Sequence, residues 1–214
     1  MINNDIIGYY DKMSEKIENP LETRNNSKNF SMYDINFMKS FSNTDMNLLD
    51  LGSGTGLLIN SLTDSFNSIT AIEKYENFSK FIANDLSISV INEDLLCLDL
   101  EKEFFDIVSI FGVMNYFSYK EARIIYQKAY DYLKPNGVLV IKHQMGIDKD
   151  ITVSGYSEEL KCDYYSNYRY INNEINILES IGFSSIEKFD IYPDEYNRWE
   201  NTHFYALTMK KNDY

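Results

Sequence analysis

Short apolar runs alternate along this chain with longer amphipathic segments. Runs such as 48–51 and 105–111 are almost continuously apolar, which is typical of strands buried on both faces. Segments such as 120–133 and 171–181 instead place apolar residues at helical spacing. This alternation predicts a mostly parallel sheet with helices on both faces. The strands are expected at 48–51, 68–73, 88–92, 105–111, 138–142, 186–191 and 204–209, and the helices at 5–18, 29–41, 57–65, 77–84, 120–133 and 171–181.

The ends of the chain depart from this alternation. The last two predicted strands lie too close for a crossover helix, so we expect them to pair as a hairpin with an antiparallel final strand. Residues 1–44 are predicted to form a helical cap on a Rossmann-like, doubly wound, seven-stranded α/β domain over 45–214, with both parts in one compact unit. The stretch 146–168 is predicted to be a long loop that acts as a lid.

The residues after the first predicted strand indicate a tight turn that opens the first helix. Glycine occupies alternate positions at Gly52, Gly54 and Gly56, where a bent backbone can approach a ligand closely. The dinucleotide fingerprint is not met, because its third glycine falls on Leu57. The carboxylate of Asp50 would also repel a pyrophosphate. It would attract a cofactor that carries an ammonium and no phosphate, such as S-adenosylmethionine.

A resemblance to a known family rests on this turn. The run from Asp50 to Gly56 (DLGSGTG) resembles the first motif of the class I S-adenosylmethionine-dependent methyltransferases, and the order of elements from about residue 45 to 210 is similar to theirs. The resemblance implies methyltransferase activity with S-adenosylmethionine as the cofactor. In this turn the implied cofactor-binding residues are Asp50, Gly52, Ser53, Gly54 and Gly56.

Further cofactor contacts are expected where later strands end, since open parallel sheets bind ligands beyond the carboxyl ends of their strands. Glu73 ends the second strand, and an acidic side chain there can accept hydrogen bonds from both ribose hydroxyls. By the resemblance, Asp94 would accept the adenine amino group while Leu95 packs on the ring. The neighbouring Glu93 is an alternative to Asp94. Phe111 leaves the fourth strand where the family encloses the sulfonium, or it belongs to the core.

The chain has only two histidines, His143 and His203. One follows the fifth strand and the other begins the antiparallel last strand, so both are predicted at the edge where the parallel strands end. A hydroxyl acceptor needs a base for its proton, and histidine is the usual choice. We expect His143 to be this base, with His203 as the second candidate. An amine acceptor would need no dedicated base.

Two of the four arginines are predicted at the same edge of the sheet, Arg169 and Arg198. Arginine suits bidentate recognition of phosphate or carboxylate, so the acceptor is expected to be a small anionic metabolite such as a sugar phosphate, a nucleotide-linked sugar or a polysaccharide precursor. The alternative is that both arginines only pair with local acids such as Glu195. Three tyrosines complete the predicted site: Tyr10 at the cofactor, and Tyr116 and Tyr165 at the acceptor.

Charge and composition narrow the partners. A net charge of −13 disfavours nucleic acid and anionic membranes. No apolar run approaches the roughly 18 residues that span a bilayer. The two cysteines, Cys97 and Cys162, have no metal or redox spacing, so we expect reduced thiols, no metal site and a cytoplasmic protein. Two alternatives to a small-molecule methyltransferase stay open: a protein or RNA-modification methyltransferase, and a non-catalytic S-adenosylmethionine-binding partner subunit.

Overall fold

The computed structural model describes residues 10–11, 13–23, 31–157, 162–196 and 199–212, without the side chains of residue 157 and of 162–165. Numbered in chain order, its strands are β1 (Asn47–Leu51), β2 (Ser68–Ile72), β3 (Ile88–Ile91), β4 (Phe105–Phe111), β5 (Leu133–Gly146), β6 (Ile151–Ser157), β7 (Cys162–Tyr168), β8 (Phe183–Phe189) and β9 (Thr202–Lys211). The helices are α1 (Ser31–Lys39), α2 (Glu76–Ser79), α3 (Tyr119–Tyr132) and α4 (Ile171–Ile181), and residues 10–11 and 13–16 are helical as well.

The main sheet has seven strands in the order β3-β2-β1-β4-β5-β9-β8. Neighbours from β3 to β5 are parallel, whereas β9 runs antiparallel to both β5 and β8. The predicted Rossmann-like α/β fold, with its final hairpin and antiparallel last strand, is therefore confirmed. Strand order reverses between β1 and β4, and ligands of such sheets bind outside the carboxyl ends of the strands at this point.

Apolar layers cover both faces of the sheet. Leu48 packs in one layer with Met38 of α1, whereas Leu49 packs in the other with Ile125 of α3. Successive strand residues point to opposite faces, so a strand covered on both sides is apolar at nearly every position. This burial on both faces is the reason that the apolar runs predicted strands correctly. It also holds the carboxyl ends of the strands in fixed positions.

Helix α3 begins at a capping box. Ser118 Oγ accepts a hydrogen bond from the Glu121 amide at 3.4 Å, and Glu121 Oε2 accepts one from the Ser118 amide at 2.8 Å. Such caps satisfy amides that have no partner within the helix and stabilise it by about 1 kcal/mol. None of the described helices is both long enough and apolar enough to cross a lipid bilayer.

The structure differs from the sequence prediction in three elements. The helix expected at 57–65 is replaced by two short 3-10 turns, Ile59–Ser61 and Thr63–Ser65. Serine, threonine, asparagine and aspartate in this stretch compete for backbone hydrogen bonds and so disfavour an α-helix. The helix expected at 77–84 is reduced to the four residues of α2.

The third difference is the predicted lid at 146–168, which is not a loop. Strands β6 and β7 pair there as an antiparallel hairpin outside the main sheet. Threonine, valine, isoleucine and tyrosine alternate with polar residues in this stretch, and these are residues that strands favour. Strand β5 also extends beyond the predicted 138–142 and reaches Gly146, next to the hairpin.

Candidate active site

A cavity of about 440 Å³ lies at the carboxyl ends of β1, β2 and β4 and beside the second half of β5. This volume is within the range of about 300–1,000 Å³ that is usual for small-molecule sites. Its walls include most of the residues predicted from the sequence: Tyr10, Asp50, Gly52, Ser53, Gly54, Glu73, Asp94, Leu95, Phe111, Tyr116 and His143. Gly56 belongs to the same turn but is not among the described residues that line the cavity.

The glycine turn leaves space on the cavity side. Gly52, Gly54 and Gly56 have φ angles of +84°, +56° and +77°, which side chains rarely tolerate. A Cβ atom at Gly54 would meet no described atom within 4 Å, whereas one at Gly52 would lie 3.3 Å from Val113. The turn is tied to β2, because the amides of Gly52 and Ser53 both donate to the Ile72 carbonyl. A backbone open on one side and fixed on the other is suited to close contact with a ligand.

Two buried carboxylates border this turn. Asp50 Oδ1 accepts a hydrogen bond from Ser109 Oγ at 2.6 Å, and burial raises the pKa of Asp50 above its usual value. Glu73 accepts from the Gly54 amide with Oε2 and from the Tyr75 amide with Oε1, both at 2.9 Å. Burial also raises the pKa of Glu73. Each Glu73 oxygen is held by one amide and keeps a lone pair for a second donor.

A second acidic segment follows β3. Asp94 Oδ1 accepts a hydrogen bond from the Leu96 amide at 2.9 Å, and Oδ2 lies 3.3 Å from Lys74 Nζ. Leu95 is buried beside it. Glu93 also lines the cavity, and its Oε1 accepts a hydrogen bond from the Asp94 amide. The carboxylates of Asp94 and Glu93 can thus each accept a hydrogen bond from a polar group on the edge of a ligand's ring.

Two tyrosines from distant parts of the chain meet over the cavity. The hydroxyl oxygens of Tyr10 and Tyr116 lie 2.5 Å apart, and their rings pack edge to face at 5.1 Å. One residue further along, Asp11 Oδ1 accepts a hydrogen bond from the Tyr75 hydroxyl at 2.8 Å. The helical residues near the start of the chain are therefore held against both sides of the cavity.

His143 is fully buried in the cavity wall, on the middle of β5. Neither ring nitrogen has a hydrogen-bond partner within the described part of the chain, although Nε2 lies 3.5 Å from Glu174 Oε1. Burial, opposed by the Glu174 carboxylate, lowers the pKa of His143 to about 4. The ring is therefore neutral near pH 7 and can accept a proton.

The prediction that Arg169 binds the acceptor is wrong. Its side chain is fully buried, with Nε and Nη2 donating to the two carboxylate oxygens of Glu174 at 2.6 and 2.9 Å. Nη1 donates to the carbonyl oxygens of Met114 and Phe117. The guanidinium lies behind the cavity wall and its hydrogen bonds go to the protein, so Arg169 follows the alternative of pairing with a local acid, which is Glu174 of the next helix.

His203 is also outside the cavity, so its prediction as a base is not supported by its position. The register pairs His203 with Met145, two residues beyond His143 along β5. There Nε2 lies 2.8 Å from Asp190 Oδ2, and the ring packs on Tyr205 at 4.4 Å. Two further predicted residues cannot be placed: Arg198 lies outside the described residues, as does the side chain of Tyr165.

The sequence prediction missed a charged pair in the cavity wall. Lys142 Nζ lies 3.3 Å from Asp34 Oδ2, and the Tyr192 hydroxyl donates to Asp34 Oδ1 at 2.5 Å. All three side chains are buried, and all three line the cavity. The sequence contained a signal for a buried lysine, because Lys142 directly follows the apolar run 138–141 and precedes His143. A lysine in the middle of a buried strand needs a counter-ion.

Comparison with known proteins supports one family. Residues 49–141 match the family model described as a methyltransferase domain. No curated protein matches the sequence of the chain.

Solved structures share the fold at low sequence identity. An S-adenosylmethionine-dependent methyltransferase from Mesorhizobium loti is 15% identical, with a TM-score of 0.63 over 84% of this chain and 98% of that one. Phosphoethanolamine N-methyltransferase 1 from Haemonchus contortus is 17% identical, with a TM-score of 0.75 over 99% of this chain and 49% of that one. A glycopeptide N-methyltransferase complexed with S-adenosylmethionine is 14% identical, with a TM-score of 0.68 over 86% of this chain and 94% of that one.

The first of these proteins is named for its dependence on S-adenosylmethionine. The second was solved with S-adenosylhomocysteine and the third with S-adenosylmethionine. Three features of this chain fit that cofactor: the glycine turn, the open backbone at Gly54 and the buried Glu73 after β2. Residues 49–141 of the chain thus match a methyltransferase domain, within a fold that the chain shares with S-adenosylmethionine-dependent methyltransferases.

Proposed function

We propose that this enzyme transfers a methyl group to an oxygen or nitrogen atom of a small anionic metabolite, such as a sugar phosphate, a nucleotide-linked sugar or a polysaccharide precursor. The observation that carries the proposal is the position of Lys142. Two lysines line the cavity among the described residues, and Lys74 is already paired with Asp94 in the acidic segment after β3. Lys142 is the cation on the opposite side, beside Asp34.

The cofactor half of the site is assigned first. Glu73 would accept hydrogen bonds from the ribose hydroxyls, and Asp94 or Glu93 would accept one from the adenine amino group, with Leu95 against the ring. The turn at Gly54 leaves space for the cofactor, with the acidic side chain of Asp50 beside it. When bound, S-adenosylmethionine supplies a methyl group on a sulfonium sulfur, and the neutral thioether that remains after transfer is a good leaving group.

The acceptor half is then the part of the cavity around Lys142. A buried ammonium is costly unless it is paired, and Asp34 supplies one counter-ion. An ammonium carries three N–H donors, and an anionic group of the acceptor would share the charge of Lys142 with Asp34. The Lys142 Nζ also lies 5.3 Å from the ring centres of Phe111 and Tyr192, which enclose it. These groups would fix an anion at one end of the acceptor.

The size and cover of the cavity favour a small acceptor over a protein or RNA. About 440 Å³ must hold both cofactor and acceptor. Tyr10 and Tyr116 both line the cavity and contact each other through their hydroxyls. The net charge of −13 also disfavours RNA. Among the similar structures, one is named for phosphoethanolamine and another for a glycopeptide, so acceptors of both sizes occur on this fold.

His143 is the candidate base for a hydroxyl acceptor. It lines the cavity next to Lys142, it is neutral near pH 7, and its ring nitrogens have no hydrogen-bond partner among the described residues. Lys142 and His143 are consecutive in β5 and contact groups on opposite faces of the sheet, so the acceptor would span the cavity between them. An amine acceptor would instead reach the active site already deprotonated or lose its proton to the same ring.

A pair of lysine variants tests the proposal. The protein is incubated with methyl-labelled S-adenosylmethionine and a deproteinised metabolite extract of its source cells. We expect Lys142→Met to lose most of the label transferred to small products while cofactor binding is kept. Lys188→Met is the matched control, because Lys188 also lies over a tyrosine ring but on the exposed side of β8. Equal transfer by both variants would contradict a role for Lys142 in the acceptor site.

A further inference from the structure

A buried polar network lies directly behind His143. Glu174 of α4 receives two hydrogen bonds from Arg169 and one from the Tyr126 hydroxyl of α3, and its Oε1 lies 3.5 Å from His143 Nε2. These four side chains are almost completely removed from solvent. We call Arg169, Glu174 and Tyr126 the Glu174 network.

The same network reaches a second part of the cavity wall. Arg169 Nη1 donates to the carbonyl oxygens of Met114 and Phe117, at 2.8 and 2.7 Å. The residues between them, Asn115 and Tyr116, line the cavity. One guanidinium therefore fixes both the acid behind His143 and the backbone of the segment after β4.

The charges around His143 come from three elements. Burial is the main cause of its low pKa, Glu174 raises that pKa, and Arg169 of the β7–α4 connection and Lys142 of its own strand lower it. Burial would also raise the pKa of Glu174, but the paired Arg169 brings it down to about 2. Glu174 is therefore a fixed negative charge at every pH at which the enzyme would work.

On the basis of the proposed function, we propose that Glu174 is a positioning residue for His143. Its carboxylate lies 3.5 Å from Nε2 and favours the Nε2–H tautomer through its charge, which leaves Nδ1 unprotonated as the atom that takes the acceptor's proton. Arg169 holds Glu174 in place and ionised. Arg169, predicted from the sequence to bind the acceptor, thus acts on the reaction through two other groups.

The proton and the electrons balance in this arrangement. The hydroxyl proton of the acceptor passes to Nδ1 while the acceptor oxygen forms its bond to the methyl carbon. The electron pair of the broken carbon–sulfur bond stays on sulfur and neutralises the sulfonium. The imidazolium that results is stabilised by the adjacent Glu174 carboxylate, and it returns its proton to solvent after product leaves.

Nuclear magnetic resonance of ¹⁵N-histidine-labelled protein tests the proposal without an assay of activity. The chain has two histidines, so a His203→Gln variant assigns both sets of ring signals. We expect His143 of the unaltered protein to be the neutral Nε2–H tautomer near pH 7. A neutral Nδ1–H tautomer would overturn the proposal, because Nε2 would then present a lone pair to the carboxylate.

A substitution adds a kinetic measurement. We expect Glu174→Gln to lower kcat roughly tenfold to hundredfold, less than the about 10²–10⁴-fold that acid–base catalysis contributes because the base itself is kept, with little change in the KM for the cofactor. The pKa of His143 should fall further. Glu179→Gln is the matched control, with the same change on the exposed face of α4. Where Glu174→Gln does not fold, Arg169→Lys keeps the charge but loses the planar fork, and should weaken the tautomer preference in the same direction.

Failure of this proposal differs from failure of the proposed function. If His143→Asn retains full turnover, His143 is not the base and the positioning role of Glu174 is contradicted, while the proposed function stands for a nitrogen acceptor, which needs no dedicated base. If His143→Asn is inactive but Glu174→Gln behaves as Glu179→Gln does, with an unchanged pKa of His143, the positioning role of Glu174 is contradicted.

Discussion

Lys142 and Asp34 form a buried ion pair across the cavity wall, with Nζ and Oδ2 at 3.3 Å. The pair joins β5 to α1, and α1 belongs to the helical part of the chain that precedes β1. The hydroxyl of Tyr192, which precedes β9, donates a hydrogen bond to Asp34. The acceptor half of the cavity is thus assembled from three separate parts of the sequence.

Removal of Asp34 should destabilise the fold. In Asp34→Asn the Lys142 ammonium remains buried without its counter-ion, and breaking such a pair costs about 3 kcal/mol of the free energy of unfolding. Urea unfolding measures this, with Asp45→Asn as a control because Asp45 is exposed. Added inorganic phosphate should restore part of the lost stability if an anion can pair with Lys142. Equal midpoints for the two variants would contradict the role of the pair.

Replacement of Glu73 should weaken cofactor binding. In Glu73→Gln the charged acceptor of the proposed ribose hydrogen bonds is lost, and hydrogen bonds to charged groups contribute about 1.5–3 kcal/mol each. We expect the Kd for S-adenosylmethionine to rise at least about tenfold in titration calorimetry. The control is Glu76→Gln, three residues away and exposed at the start of α2. An unchanged Kd would remove Glu73 from the cofactor site.

The contact between Tyr10 and Tyr116 should act as a single unit. Tyr10→Phe and Tyr116→Phe each remove one hydroxyl of the pair at 2.5 Å, and we expect each to speed cofactor release. A double-mutant cycle on the dissociation rate should give a coupling energy of about 0.5–1.5 kcal/mol, the size of one hydrogen bond. Additive effects would mean that the two hydroxyls act independently in the closed cavity.

Acid should destabilise the protein through His143. Burial lowers its pKa from about 6.5 to about 4, so the folded state binds fewer protons than the unfolded chain between these values. This contribution is complete above about pH 6.5 and is lost as the pH falls toward 4. The contribution of His143 to the unfolding free energy should differ by on the order of 2 kcal/mol between about pH 7 and about pH 5, and comparison with His143→Asn at both pH values measures that contribution.

Most residues of the proposed cofactor half line the cavity as the sequence predicted, whereas Lys142 and Asp34 of the proposed acceptor half were not predicted. The glycine turn and the acids after β2 and β3 are local features, set by the end of a strand and the few residues directly after it. Lys142 and Asp34 lie far apart in the sequence, and only the packing of α1 on the sheet brings them together.

The structure places Arg169 and His203 outside their predicted roles for two different reasons. Arg169 is close to the expected edge of the sheet, but Glu174, one turn into the next helix, takes up its guanidinium. His203 lies at that edge too, yet the register of β9 against β5 sets it beyond the cavity. Position along the chain predicts which edge a side chain reaches, while the choice of partner depends on burial and register.

Methyl transfer to a small anionic acceptor is the proposal on which the roles of Lys142 and His143 depend. It can be measured by supplying methyl-labelled S-adenosylmethionine together with small-molecule and macromolecular fractions of the source cells. Labelled products are then separated by size and afterwards on an anion exchanger. We expect label in a small product that the exchanger retains. Label confined to protein or RNA, or to a small product that the exchanger does not retain, would contradict the proposal.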